Sequence, residues 1–214
     1  MVRATLRGIR RSVGTARSRK APATAEKASA MARSTSSGLI GLRDRAILLL
    51  GFAGALRRSE LVALNVADIA AFEQGLLVNV RKSKTDQAGQ GEVIAVAKGH
   101  TDCPSEALLA WLAAAHITDG PVFRSIKKGG QLATTRLSER AVTSIVKRYA
   151  KRIGLDHKKY SSHSLRSGFL TSAAANGASI FKMMDVSRHK SLDTLRTYVR
   201  DAELFKDHAG DGLL

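Results

Sequence analysis

The stretch from Ala46 to Leu56 is eleven residues of apolar or glycine sequence, preceded by Asp44 and Arg45 and followed by Arg57 and Arg58. A helix that crosses a bilayer needs roughly 20 such residues. The run is too short for that, and its charged ends suit a helix buried at the centre of a folded domain. No membrane partner is expected. The chain has 214 residues, of which 44% are hydrophobic. That length suits one ample domain or two small ones, and that composition excludes a wholly disordered chain.

Charge narrows the class of partner. Lys and Arg number 35 against 18 Asp and Glu, a net +17 with a sequence pI near 10.7. Such a surplus favours a polyanion, and nucleic acid is the usual one. The bland alternative is a merely basic protein. Cys103 is the only cysteine, so an intramolecular disulfide and Cys-rich zinc sites are excluded. A reducing cytoplasm fits that usage. The first 20 residues carry Arg3, Arg7, Arg10, Arg11, Arg17, Arg19 and Lys20 and no acid. With the Ala/Ser/Thr-rich residues 21–38 they read as a basic arm and linker, and order is expected from Leu39. A mitochondrial transit peptide has a similar composition.

From Leu39 the pattern is mostly helical. Helices are expected over 40–55 and 57–65. Leu76–Arg81 and Val93–Ala97 read as a hairpin with a long polar loop. Pro104 opens a helix to about His116, and 118–136 reads as loop. Ser138 caps a helix that Gly154 ends. Helices at 164–175, 179–187 and 191–199 follow, with a short one at 201–207. The fold class is mainly α with a small antiparallel β-sheet, α+β. The domains expected are the arm, 1–38, and a single catalytic domain, 39–214.

Five segments hold residues able to act on a phosphate, and each has an ordinary reading alone. Arg57 and Glu60, three apart, share a helix face. They form either a surface salt bridge or a guanidinium that grips phosphate oxygens while Glu60 steadies it. Lys84, in Arg81-Lys82-Ser83-Lys84, is a solvated loop residue or a proton donor on a hairpin. His163 and Arg166 lie on one face at a helix start, where backbone N–H groups favour an anion; the alternative is a local cap and an exposed arginine. His189, in Ser187-Arg188-His189-Lys190, is a turn residue or a hydrogen-bond donor. Tyr198 lies between Arg196 and Arg200, a setting that favours phenolate; a core tyrosine is the default.

In chain order the set is Arg57, Lys84, His163-x-x-Arg166, His189, Tyr198. With Leu56-Arg57-Arg58-Ser59-Glu60-Leu61, Arg188-His189-Lys190-Ser191 and Thr197-Tyr198-Val199-Arg200, it resembles the catalytic domain of the tyrosine recombinases, the phage integrase family. The resemblance runs from Leu39 to the C-terminus. It implies site-specific DNA recombination or integration. Tyr198 would attack the scissile phosphate to give a 3′-phosphotyrosyl intermediate. Arg57, His163 and Arg166 would hold the non-bridging oxygens, with His189 adding a hydrogen bond. Lys84 would protonate the leaving 5′ oxygen, and Glu60 would orient Arg57. The base for Tyr198 stays open, with His163 the first candidate. Arg58, Lys82, Arg188 and Lys190 are expected to contact DNA. No metal and no other cofactor is implied. The partners implied are double-stranded DNA and further copies in a homotetramer on DNA, within a bacterial cytoplasm at the nucleoid.

Family members carry a helical core-binding domain before this one, and the first 38 residues read as its end plus the linker. The apolar residues after Tyr198, including Leu204 and Phe205, dock on a neighbouring copy or fold back on their own domain. Two other functions remain open: relaxation of DNA in the manner of a type IB topoisomerase, and a DNA-binding integrase remnant without turnover.

Overall fold

The computed structural model describes residues 20–81, 91–189 and 191–202. Eight helices and two small antiparallel sheets make up these residues. The apolar run forms α2, Leu39–Ala53, after α1, Ala25–Arg33. Ala46, Ile47, Leu48 and Leu50 on α2 are wholly buried, so from Ala46 to Gly51 the helix is buried on every side, while Asp44, also inaccessible, is held by Arg43, Arg148 and Tyr149. The other elements pack around it.

After α2 the chain turns through Ala55, whose φ of 44° is left-handed, into α3, Arg58–Ala63. The first sheet comprises β1, Ile69–Phe72, β2, Gly75–Val80, and β3, Glu92–Ala97, in the order β1-β2-β3. The register pairs Val78 with both Ile69 and Ile94, and Leu76, Val78 and Val80 face inward. Next come α4, Pro104–Ala114, and a hairpin of β4, Arg124–Ile126, with β5, Leu132–Arg136. Helix α5, Glu139–Arg152, starts as expected, with Ser138 Oγ accepting from the Ala141 N–H at 3.2 Å. The last three helices are α6, His163–Ala175, α7, Ile180–Ser187, and α8, Leu192–Ala202.

Three features differ from the sequence reading. The boundary expected at residue 38 falls inside the packed body. Ala23, Ala28, Met31 and Ala32 are buried, and α1 packs against α2, α5 and α6. The segment before α1 is zipped along α6: the Ala21 N–H donates to Lys159 O and the Ala23 N–H to Ser164 O, both at 2.8 Å. A Cβ at Gly168 would stand 1.7 Å from Ala23 O, so only glycine admits this approach. Second, β1 forms within a stretch that sequence left unassigned. Third, the loop expected over 118–136 contains the β4–β5 hairpin, with Gly129 and Gly130 at positive φ in its turn. The expected helix over 201–207 lies outside the described residues beyond Ala202.

Two apolar clusters result. The larger surrounds α2 and includes Leu56, Leu61, Trp111 and Leu165. The smaller is built on Leu170, Ala174, Met183 and Leu195 from α6, α7 and α8, with Tyr198 partly packed against it. Phe52 and Phe169 meet edge to face between them, their centroids 5.9 Å apart. No helix among the described residues is long and apolar enough to cross a membrane.

Candidate active site

Arg57 sits immediately before α3, where Leu56 and Leu61 anchor in the core. Glu60, in the first turn, reaches back to it. Its Oε2 accepts from the Arg57 backbone N–H at 2.8 Å and its Oε1 from Arg57 Nη1 at 2.5 Å. This satisfies one of the otherwise unpaired donors at the helix start and holds the guanidinium in place. The Arg57 side chain is 24% exposed, against 1% for Glu60.

Arg166 lies in the first turn of α6 and is buried. Its Nη1 donates to Ala55 O at 2.7 Å, so the left-handed turn after α2 serves as its anchor. Its Nη2 lies 3.3 Å from His189 Nδ1 and 3.4 Å from His189 Nε2. Burial, then the Arg57 and Arg188 cations, lower the Arg166 pKa to about 9, while Glu60 and Tyr198 act in the opposite sense. Arg166 is therefore still a cation at neutral pH, but one at elevated energy until an anion joins it.

His163 opens α6. Burial and the Arg166 and Arg57 charges hold its pKa below the usual imidazole value. His189 is pushed further, down to about 4, by burial first and then by Arg166, Arg57, His163 and Arg188. Both imidazoles are neutral at pH 7. Ser187 Oγ donates to Met183 O at 2.6 Å and lies 2.8 Å from His189 Nδ1.

Leu56, Arg57, Arg58, Ser162, His163 and Arg166 line a cleft of about 530 Å³ together with Glu139 and Thr143. The N-terminus of α6, the Arg57 and Arg166 guanidiniums and two neutral imidazoles converge in this region. Such an arrangement binds an oxyanion and stabilises charge building on it. Tyr198, on α8, is near enough to Arg166 to act on its charge.

The other expected residues divide. Arg58 is half-exposed at the cleft, paired with Glu139 at 3.1 Å. Lys82, Lys84 and Lys190 lie outside the described residues. Arg188 takes a different place from the DNA contact expected of it. Its side chain is 2% exposed, and Nη2 donates to Glu60 Oε2 at 2.6 Å. Arg188 adopts left-handed backbone, φ 56°, at the end of α7, a conformation costing a non-glycine residue roughly 1–2 kcal/mol. Sequence reasoning also missed Ala55, whose carbonyl anchors Arg166, and nothing in its residue type signals that role.

Helix starts around a buried apolar helix thus build a cationic cleft, with a tyrosine near Arg166. The chain belongs to the phage integrase family, whose model matches residues 23–204. It is 42% identical over 212 residues to an integrase/recombinase xerD homolog of Selenomonas ruminantium, covering 98% of this chain and 62% of that relative. It is 34% identical over 164 residues to tyrosine recombinase XerC of Syntrophus aciditrophicus, covering 75% of this chain and 49% of that one. The chain thus spans less than two thirds of each of these relatives. Among solved structures, XerH recombinase bound to a palindromic difH substrate after cleavage gives a TM-score of 0.72 at 17% identity, over 91% of this chain and 54% of that one. XerA recombinase gives 0.68 at 22% identity, over 89% and 66%. The shared fold is that of the recombinase catalytic domain.

Proposed function

We infer that this chain cleaves and rejoins DNA strands in site-specific recombination, through a 3′-phosphotyrosyl intermediate on Tyr198. The observation that carries this is the convergence of Arg57, His163, Arg166 and His189 around one region, with α8 bringing Tyr198 beside Arg166. Arg57 and Arg166 grip the non-bridging oxygens of the scissile phosphate and offset the charge of the transition state. Neutral His163 accepts the Tyr198 proton as the phenol oxygen attacks phosphorus, because a phenol with pKa near 10 needs a base at neutral pH. The phosphorus–5′-oxygen bond breaks, and Lys84 protonates the departing oxygen. The phosphotyrosine keeps the bond energy, so attack by a 5′-hydroxyl reseals the strand without ATP. His189 adds a further hydrogen bond to the phosphate.

The partners are double-stranded DNA, bound with steep salt dependence, and further copies of the chain in a tetramer on that DNA. Exposed Phe181 and Leu192, at 69% and 44%, offer apolar surface for such a neighbour. The setting is a bacterial cytoplasm, at the nucleoid. Nicked suicide duplexes drawn from DNA flanking the gene test the reading. Wild type is expected to give a covalent adduct on a denaturing gel, and Tyr198→Phe none. An adduct that survives in Tyr198→Phe overturns the nucleophile. Salt-sensitive DNA binding with no adduct at any such duplex would favour a binding module without turnover.

A further inference from the structure

Glu60 accepts hydrogen bonds from two arginines, and only one of them faces the cleft. Arg57 lines it. Arg188 approaches the carboxylate with its side chain almost wholly enclosed, Nη2 on Glu60 Oε2 at 2.6 Å and Nη1 on Val186 O at 2.8 Å. Its Nε is the one buried side-chain nitrogen or oxygen among the described residues without a hydrogen-bond partner. Glu92 Oε2, on β3, lies 3.8 Å from that Nε. A long cation enclosed in this way, on left-handed backbone that glycine adopts more easily, is held there by its carboxylate contacts.

We propose that Arg188 is a positioning residue: it neutralises Glu60 from behind, so that the Arg57 charge remains available to the scissile phosphate, and it fixes the turn that sets His189 beside Arg166. Without Arg188, Glu60 would offset Arg57, and Arg166 would be the uncompensated cation among these four residues. The same bond ties the end of α7 to the start of α3, two elements far apart in sequence. Burial keeps the Arg188 guanidinium from acting as a phosphate contact. The proposal rests on the strand-cleavage reading for its kinetic consequence, and on the free protein for its electrostatic one.

Two variants separate the possibilities. Arg188→Gly removes the charge and suits the left-handed turn; Arg188→Lys keeps the charge. With trapping duplexes at saturating concentration, Arg188→Gly is expected to slow adduct formation roughly 10- to 100-fold, the size typical when a partner that orients a ligand-binding group is lost. Its DNA affinity and the salt slope of binding are expected to stay at wild-type values, and Arg188→Lys to recover part of the rate. A weaker, less salt-dependent complex with an unchanged cleavage rate would make Arg188 a DNA contact and overturn the proposal. So would a loss of rate that follows a loss of thermal stability in both variants alike. If wild type forms no adduct, inorganic sulfate titrated into free protein and followed by the His163 and His189 imidazole resonances decides. Weaker sulfate binding in Arg188→Gly than in wild type or Arg188→Lys supports the proposal, and equal binding in all three refutes it.

Discussion

The two apolar clusters divide the candidate site unequally. The larger one fixes Arg57, Glu60 and Arg166 through Leu56, Leu61 and Leu165, all nearly inaccessible. The smaller, with four buried residues, supports the helix bearing Tyr198. Helix α6 belongs to both, its Leu165 in one and its Leu170 in the other. Local stability follows the apolar area that an element buries. The groups proposed to hold the phosphate therefore stand on the firmer part of the molecule, and the proposed nucleophile on the weaker.

The sharpest way to break the contrast is to remove Arg166, which serves both regions. Arg166→Ala is expected to lower cleavage by roughly 10²–10³-fold, as for loss of one charge-stabilising donor. It also leaves Ala55 O unpaired in a buried turn, costing about 1–3 kcal/mol of stability. Arg57→Ala, from a more exposed position, is expected to match the kinetic loss with a smaller drop in melting temperature. Equal melting temperatures would remove the Ala55 anchor from the account. Two leucine truncations leave the chemistry alone and test packing, each of a kind that costs about 2–5 kcal/mol locally. Leu48→Ala is expected to lower the urea midpoint reported by Trp111 fluorescence, since both lie in the large core. Leu195→Ala is expected to speed amide exchange in α7 and α8 while the Trp111 midpoint moves little. A common shift in that midpoint would show that the two clusters unfold as one.

The smallest effect is that of pH. His163 and His189 both titrate below the usual imidazole value in the folded chain, His189 at about 4. The unfolded chain therefore binds more protons between about pH 6.5 and pH 4. The stability linked to these groups is complete above pH 6.5 and is lost as pH falls towards 4. Thermal melts across that range are expected to show the loss in wild type and a flatter profile in His189→Gln. A flat wild-type profile would mean that the imidazoles are not held neutral.

Much of this was legible in the sequence, for physical reasons that vary by element. The central helix showed because an apolar run with charged ends has few other uses. His163 and Arg166 showed because residues three apart at a helix start share a face. Helix α1 was hidden by its composition: its buried face is only Ala28, Met31 and Ala32, and the segment before it is held by the close approach of Ala23 to Gly168, which no periodicity reveals. The β4–β5 hairpin was hidden by its half-exposed strands and lysine-rich turn. Arg188 was misplaced because a basic residue beside a candidate site reads as a ligand contact, and nothing local reveals a carboxylate 128 residues away.

The strap before α1 has a mechanical meaning. Lys20 Nζ donates to Lys158 O, Ala21 and Ala23 bond along the approach to α6, and the Ala25 N–H donates to Ser172 Oγ. A pull applied at Lys20 is thus delivered to the backbone around His163 and Arg166 as well as to α1. Tension on this strap becomes torque on the helix that carries His163 and Arg166.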